Sequence, residues 1–154
     1  MSRDTPRKLI ASNKRARHEY EILKTYEAGL VLLGTEVKSL RLGQASLVDA
    51  FAQERDGELH LYGLHIAEYG IHGFAAHGPR RIRKLLLHRA EIDRILDKIR
   101  EPGLSLIPLA LYFKGSVVKV ELGLVTNKKQ HDKRQASKEA DDKREMDRAV
   151  KRAR

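Results

Sequence analysis

The chain has 154 residues, of which 31 are lysine or arginine and 21 are aspartate or glutamate, so its formal charge at pH 7 is +10. This length suits one domain with an extension, and the excess positive charge favours a nucleic acid or another anionic partner. The absence of cysteine excludes disulfides, thiolate nucleophiles and cysteine-based metal sites. No apolar run approaches the roughly 20 residues of a membrane span, and the first residues lack the apolar segment of a signal peptide. We therefore expect a cytoplasmic protein with no membrane partner.

The beginning of the chain is basic. Residues 1–12 are predicted to form a flexible arm, because three basic residues stand against one acid there and Leu9 and Ile10 are the sizeable apolar residues after Met1. Residues 13–20, Asn-Lys-Arg-Ala-Arg-His-Glu-Tyr, would then lead straight into a strand. This second segment is either a contact to a nucleic-acid backbone or a solvated leader.

Residues 34–41, Gly-Thr-Glu-Val-Lys-Ser-Leu-Arg, are predicted to form a short helix among strands. Thr35 is a suitable N-cap, and Glu36 would lie in the first turn, where a carboxylate suits the positive end of the helix dipole. Lys38 and Arg41 are three residues apart and would share one face. The helix is therefore either a docking face for a phosphate backbone or a solvated helix that plugs one end of a barrel.

Strand-like segments surround this helix and predict three hairpins. Their paired strands are residues 19–26 with 30–33, residues 47–53 with 58–62, and residues 104–113 with 117–125. The second hairpin carries Asp56-Gly57, a sequence typical of a type I′ turn. Pro108 cannot donate a hydrogen bond to a neighbouring strand, so its strand lies at an edge or contains a bulge.

Residues 89–100 are predicted to form the clearest helix, because isoleucines and a leucine at 92, 95, 96 and 99 make one apolar stripe. This helix would pack over an open end or a seam of the sheet. Residues 70–79 contain three glycines, one proline and two histidines, and predict a surface loop. His72 and His77 have no third ligand at a recognisable spacing, so we expect neither a metal site nor a cofactor.

About six strands with two short helices predict a mainly β fold, namely a small antiparallel barrel of the oligonucleotide-binding type over residues 13–126. The chain contains only three phenylalanines and five tyrosines. A platform of stacked bases, as in single-strand binders, is therefore not favoured. Recognition of the backbone and shape of a folded RNA is the expected mode.

The composition changes at residue 127. Residues 127–154 contain 11 basic and six acidic side chains, and their apolar residues are too few to form a core. Oppositely charged pairs spaced four apart, such as Glu139 with Lys143, support a helix too weakly to overcome the cost of nucleation. We predict a basic tail that is disordered alone and helical when bound to a polyanion; an inert solubilising tail is the alternative.

Four separated segments, taken together in order, resemble one protein family. They are residues 13–20, residues 34–41, residues 83–88 (Arg-Lys-Leu-Leu-Leu-His) and residues 128–134 (Lys-Lys-Gln-His-Asp-Lys-Arg). The chain from about residue 8 onward resembles the SmpB family (small protein B), the SsrA-binding proteins of bacteria. The resemblance implies a barrel that binds the tRNA-like domain of transfer-messenger RNA (tmRNA) and delivers it to stalled ribosomes in trans-translation.

The resemblance also implies the partners and the residues that contact them. The partners would be tmRNA and the ribosome, whose small-subunit decoding region and empty mRNA channel would receive the tail, and the free protein would be a monomer. The RNA-binding residues would be Asn13, Lys14, His18, Glu36, Lys38, Ser39, Arg41, Lys84 and His88. The tail residues that contact the ribosome would be Lys128, Lys129, Asp132, Lys133 and Arg134.

Three residues or segments depart from this pattern or fit it poorly. A carboxylate facing phosphate is repelled, so Glu36 would either accept hydrogen bonds from base or ribose donors or orient Lys38 and Arg41. Asn127 stands where the family usually has glycine, and asparagine tolerates the left-handed conformation that glycine allows. Residues 140–142 lack the aromatic side chain often seen at that point of the family's tail.

Two other classes of protein remain as alternatives. A general basic RNA-binding or ribosome-assembly protein would bind RNA without preferring a tRNA-like fold. An RNA-acting enzyme would need a nucleophile, a base or a metal cluster. The acids and histidines, including Glu36 and His88, show no such arrangement in the sequence, so we predict no catalytic residues.

Overall fold

The computed structural model describes residues 6–69 and 78–127. The helices are α1 (Lys14–Glu19), α2 (Gly34–Arg41) and α3 (Arg89–Ile99). The strands are β1 (Arg7–Ser12), β2 (Tyr20–Leu30), β3 (Ala45–Ser46), β4 (Phe51–Arg55), β5 (Glu58–Tyr62), β6 (His65–Ile66), β7 (Arg83–Leu86), β8 (Leu104–Lys114) and β9 (Val117–Asn127).

Six of these strands close into a barrel. β8 pairs with β4, the order continues through β5, β7 and β2 to β9, and β9 pairs back with β8. Every pairing in the ring is antiparallel. β1 extends the sheet along the edge of β8 that β4 leaves free, while β3 and β6 form a separate pair. The predicted mainly β antiparallel barrel is confirmed.

The core of the barrel follows from alternation along the strands. In β5, Leu59 and Leu61 are fully buried between half-buried neighbours, as expected when one face of a strand points inward. From outside the ring, α3 adds Ile92, Ile95 and Leu96 to the same cluster. The apolar stripe therefore predicted this helix and its buried face correctly, and each such side chain contributes about 1.5–3 kcal/mol through burial.

Two of the three predicted hairpins are present. β4 and β5 are joined at Asp56 and Gly57, whose φ angles of 55° and 77° are the left-handed values that a type I′ turn requires. β8 and β9 form the longest hairpin. Their register shifts between Pro108 and Ala110, which confirms the predicted bulge in the proline-containing strand.

The hairpin predicted at residues 27–29 is wrong. β2 runs unbroken from Tyr20 to Leu30 and pairs with β9 as far as Gly29 and Lys119. Gly29 marks a close approach rather than a turn, because a Cβ atom placed on it would lie 3.3 Å from the Cβ of Leu86. Glycine in a strand interior often has this meaning. Glu27, which was assigned to the same predicted turn, is also a paired residue within β2.

The strand predicted to begin at residue 47 begins later. The amide of Ala50 donates a hydrogen bond to the carbonyl of Leu47 over 3.0 Å, and Asp49 has a φ of 64°, so residues 47–50 form a turn. The strand β4 therefore starts at Phe51.

The first described residues also differ from the flexible arm predicted for residues 1–12. Residues 7–12 form β1, which pairs with β8 from Arg7 opposite Lys114 to Ser12 opposite Ala110. Ile10 and Ala11 pack against the core. The edge of β8 supplies backbone partners that the sequence of this segment does not reveal, whereas residues 1–5 lie outside the described chain.

Replacing Gly123 with alanine should destabilise the barrel. A Cβ atom at this position would lie 2.7 Å from Cδ1 of Leu109, which is fully buried at the bulge of β8. Overpacking of this kind costs about 1–3 kcal/mol, which urea denaturation would measure. Gly34→Ala is the matched control, because no atom lies within 4 Å of its added Cβ. Equal urea midpoints for the two variants would contradict this prediction, because they would show that the Leu109 side chain moves aside without a cost in stability.

Candidate nucleic-acid interface

Helix α1 is attached to the barrel through Asn13. The Asn13 side chain accepts a hydrogen bond from the Ala16 amide (3.1 Å) and donates one to the carbonyl of Pro108 (3.2 Å). Its backbone amide donates to the carbonyl of Leu109 over 2.8 Å. One residue thus caps the helix and satisfies the carbonyls that the bulge of β8 leaves free. Asn13 was predicted to bind RNA, but its side chain forms the hydrogen bonds that hold α1 on the barrel.

Residues 13–20 lead straight into β2, as predicted, but the sequence did not predict that Lys14–Glu19 is helical. A six-residue helix is too short to show an apolar period. Its single inward residue, Ala16, packs with Ile107, Leu109 and Val125 in a second small cluster on the outside of the barrel. The signal that could have found it is the Asn13 cap three residues ahead of Ala16.

The outward face of α1 carries four exposed basic or histidine residues: Lys14, Arg15, Arg17 and His18. Arg15 pairs with Glu19 at 2.9 Å and Arg17 pairs with Glu121 at 3.3 Å. Lys14 has no ion pair within residues 6–69 and 78–127. Lys14 and His18 are thus presented to solvent on a fixed helix.

Glu36 is the central anchor of α2. It is fully buried, and its Oε1 accepts hydrogen bonds from the Leu33 amide (2.8 Å) and from Nη2 of Arg81 (2.5 Å). Its Oε2 accepts from Nε of Arg83 at 2.5 Å. Leu33, rather than Thr35, occupies the N-cap position. The suggestion that Glu36 accepts hydrogen bonds from a base or ribose is corrected, because protein donors occupy both oxygens.

Arg83 extends this buried network to two further segments. Its Nη1 donates to the carbonyl of Leu64 at 2.7 Å and its Nη2 to that of Pro79 at 3.2 Å, and the side chain is fully buried. Burial alone would raise the pKa of Glu36, but hydrogen bonds from Arg81, the Leu33 amide and Arg83 outweigh it and lower the pKa below its ordinary value. The carboxylate therefore stays charged and holds the start of α2.

Two more residues complete the inner side of α2. Ser39 is fully buried and its hydroxyl donates to the carbonyl of Ala67 at 2.6 Å, while Leu40 enters the core. Lys38 and Arg41 are left exposed. The sequence predicted their shared outward position correctly, but it could not show that Glu36 and Ser39 face the interior.

The two cations of α2 have different surroundings. The Lys38 ammonium lies 5.3 Å from the ring centroid of Tyr69, a cation–π contact. Arg41 lines a groove of about 400 Å³ together with Arg7 and Lys8 of β1. The sequence did not predict this groove, because β1 was expected to be flexible.

A second polar network fixes β1 to the barrel wall. The hydroxyl of Tyr112 donates a hydrogen bond to Glu27, and Lys114 and Arg7 each approach the same carboxylate at 3.2 Å. The hydrogen bond from Tyr112, and then those interactions with Lys114 and Arg7, hold the pKa of Glu27 below its ordinary value. Arg7 also lies over the Tyr112 ring, 4.9 Å from its centroid. Sequence reasoning missed this network because it assigned Glu27 to a turn.

The remaining predicted contacts lie where β7 meets α3. Lys84 is exposed on β7 opposite His60 of β5, and it forms no ion pair with any described residue. His88 is exposed at the N-cap position of α3, and its amide donates to Glu91 over 3.4 Å. Both side chains point away from the core.

The structure thus divides the predicted RNA-binding residues into two groups. Six are exposed on α1, α2, β7 and the N-cap of α3: Lys14, His18, Lys38, Arg41, Lys84 and His88. Asn13, Glu36 and Ser39 instead hold the elements that carry them. The predicted ribosome-contacting residues Lys128, Lys129, Asp132, Lys133 and Arg134 lie outside the described residues. Asn127, the last described residue, pairs with Tyr20 at the end of β9.

Within the described parts of the chain, no helix is long and apolar enough to cross a membrane. In those same ranges, no three histidine, aspartate or glutamate side chains come together as possible metal ligands.

A closed antiparallel barrel that displays cations on two short helices and one strand defines a small nucleic-acid-binding barrel of the oligonucleotide-binding type. The sequence model of the SmpB protein family matches residues 10–152. The chain belongs to this family.

Relatives of this family match nearly the whole chain. An SsrA-binding protein of Salinispora arenicola (strain CNS-205) is 59% identical over 150 residues, which cover 97% of this chain and 94% of that protein. One from Saccharopolyspora erythraea is 56% identical over 154 residues, covering 100% and 98% of the two chains. A solved structure described as "tmRNA-SmpB: a journey to the center of the bacterial ribosome" is 52% identical, with a TM-score of 0.66, and the match covers 77% of this chain and 84% of that one.

Proposed function

We propose that this chain binds tmRNA, the SsrA RNA, through its barrel and acts with it on the ribosome in trans-translation. The observation that carries the proposal is the 59% identity to an SsrA-binding protein over 97% of the chain. The similar solved structure concerns tmRNA and SmpB on the bacterial ribosome. The role is one of binding rather than catalysis, and its place is the cytoplasm, where ribosomes act.

The geometry supports binding by a rigid frame with exposed cations. Hydrogen bonds of Asn13, Glu36 and Ser39 fix the helices α1 and α2, so that the backbone positions of Lys14, Lys38 and Arg41 are set without a ligand. Preorganised cations lose less conformational freedom on binding than mobile ones. Such a surface suits a folded RNA, whose phosphates have fixed spacing, and the tRNA-like domain of tmRNA is the proposed target.

The tail completes the proposed function. Residues 128–154 carry 11 basic side chains, so they can contact the ribosomal RNA that lines the mRNA channel. We assign this contact to Lys128, Lys129, Asp132, Lys133 and Arg134. The barrel would recognise tmRNA, and the tail would report whether a message already fills the channel.

Replacing both Lys38 and Arg41 with alanine should weaken binding to the tRNA-like domain and reduce its dependence on salt. The slope of log affinity against log salt is negative, and each lost phosphate contact reduces its magnitude by about 0.9. The slope of the double variant should therefore be smaller in magnitude by ~2. Titrations of the full-length protein across a salt series measure it. The matched control is Lys98→Ala with Arg100→Ala at the C-terminal end of α3, which removes the same charge from exposed residues that pair with Glu101 and Asp97.

Competition with an ordinary tRNA and a random duplex in the same titrations tests the proposed target. A preference for the tRNA-like domain that persists at high salt supports it. Equal binding to all three RNAs would favour the general basic RNA-binding protein instead. An unchanged slope in the α2 variant would remove α2 from the interface.

A further inference from the structure

The outer face of β4, β5 and β7 carries an aromatic pair beside polar and cationic side chains. Along these strands, alternate residues point outward: Phe51 and Gln53 on β4, His60 and Tyr62 on β5, and Lys84 on β7. We call these five residues the outer aromatic face. None of the interactions described above for α1 or α2 involves them.

The aromatic pair lies directly across two strands. Phe51 is opposite Tyr62, and the two rings are nearly parallel, with 5.3 Å between centroids and 7° between planes. Cross-strand aromatic pairs stabilise a sheet by about 0.2–1 kcal/mol, which accounts for the contact between the rings. It does not account for the 44% exposure of the Phe51 side chain to water.

A polar row runs beside the rings, two residues further along the strands. Gln53 is opposite His60, and His60 is opposite Lys84. Two residues of a strand span about 6.6 Å, so this row is a direct neighbour of the rings. Nδ1 of His60 is buried and lacks a hydrogen-bond partner within the described residues. Lys84 has no ion pair there either. The exposed Lys84 is therefore available to a ligand, and the partly exposed His60 has an imidazole whose Nδ1 is not paired within the described residues.

The ring of Phe51 is accessible from its other side as well. A groove of about 550 Å³ follows the seam between β4 and β8, and Phe51 lies on its rim together with Tyr20 and Ser105. The seam is open because Ala52 with Leu106 is the single register pair between these two strands. The outer aromatic face therefore adjoins an open groove at Phe51.

We propose that the outer aromatic face binds an unpaired nucleotide of RNA. The base stacks on the Phe51–Tyr62 pair, His60 and Gln53 bond to the base edge or the ribose, and Lys84 binds the phosphate. The charge and chemistry of the face select this occupant, because an apolar peptide would leave Lys84 and His60 without partners, whereas a nucleotide matches both. The inference rests on the proposed RNA-binding function and adds a contact to a base. It differs from the sequence-based expectation, which did not favour a platform of stacked bases.

The test uses the full-length protein and a short single-stranded RNA that contains 2-aminopurine, a fluorescent base whose emission falls when it stacks. Phe51→Leu keeps an apolar side chain of similar size and removes the ring. We expect this variant to bind the single strand about 5–150-fold more weakly, the range found for the loss of one stacking contact. Phe51→Tyr should restore both affinity and quenching. Val117→Ala is the control, because Val117 is an exposed apolar residue of β9 beyond this face.

The outcomes separate this inference from the proposed function. If the wild-type protein fails to bind the single strand, or if Phe51→Leu binds it with unchanged affinity and quenching, the outer aromatic face is not a nucleotide site. Retained binding of the tRNA-like domain in that case leaves the proposed function intact. If an apolar peptide displaces the single-stranded RNA and binds more tightly than that RNA does, as measured by quenching of the protein's own fluorescence, the face belongs to a protein partner. The inference is then overturned. A urea midpoint equal to that of the wild type excludes unfolding as the cause of weak binding.

Discussion

Replacing Glu36 with glutamine should lower the free energy of unfolding by about 3–5 kcal/mol, the cost of removing one partner from a buried ion pair. The guanidinium of Arg83 is fully buried and would lose the charge that compensates it. Glutamine would also turn an NH2 group toward Arg81 or Arg83, both of which are donors. Urea denaturation, monitored by circular dichroism, measures the effect.

Two further variants show that the loss comes from the pair itself. Glu21→Gln removes the same charge from an exposed residue of β2 and should change stability by no more than about 0.5 kcal/mol. The double variant Glu36→Gln with Arg83→Met removes both charges and should be less destabilised than the sum of the two single variants. Additive effects would contradict the pairing of Glu36 with Arg83.

The same anchor gives the protein a defined response to acid. The pKa of Glu36 is lower in the folded protein than in the unfolded chain, where it is about 4.3, so the unfolded state binds protons first as the pH falls. The stabilisation is complete above that unfolded value and is lost as the pH falls through the folded one. The stability difference between the wild type and Glu36→Gln should therefore be largest near pH 7 and shrink below about pH 4.

The sequence predicts features that depend on neighbouring residues. The apolar stripe of α3 and the Asp56-Gly57 turn are local patterns, and the structure contains both. Pro108 predicted an edge strand or a bulge, because it has no amide proton to donate to a neighbouring strand, and the structure contains the bulge. The turn at residues 27–29 was wrong for the opposite reason, since the close approach of Leu86 to Gly29 comes from a distant strand.

The candidate site shows the same limit more sharply. Three of the motif segments coincide with α1, α2 and β7, and Lys38 and Arg41 are exposed as predicted. The partners of Glu36 lie 45 and 47 positions away, at Arg81 and Arg83, where the sequence shows only a run of basic residues before a strand. From charge alone, a buried arginine that pairs with a carboxylate cannot be distinguished from an exposed arginine that binds phosphate. The outer aromatic face was missed similarly, because the stacking of Phe51 on Tyr62 depends on strand register.

Removal of residues 128–154 should abolish peptide tagging on stalled ribosomes while it leaves binding to the tRNA-like domain within a few-fold of the wild type. The cut falls after Asn127 because this residue still pairs with Tyr20, so a shorter chain would loosen the end of β9 beside α1. The exposed cations Lys14, Lys38 and Arg41 all remain on the truncated barrel. Binding to the isolated domain and tagging in a reconstituted translation system are the two measurements.

A second truncation, after Arg134, keeps the Lys-Lys-Gln-His-Asp-Lys-Arg segment and separates its role from that of the remaining tail. Residues 135–154 carry seven basic and five acidic side chains, so their loss changes the net charge by only two, whereas residues 128–134 supply four basic side chains against one acidic one. If charge density at the start of the tail drives entry into the mRNA channel, the chain that ends at Arg134 should retain part of the tagging activity. Loss of domain binding in either truncation would contradict the division of labour between barrel and tail, because it would place tmRNA contacts beyond Asn127.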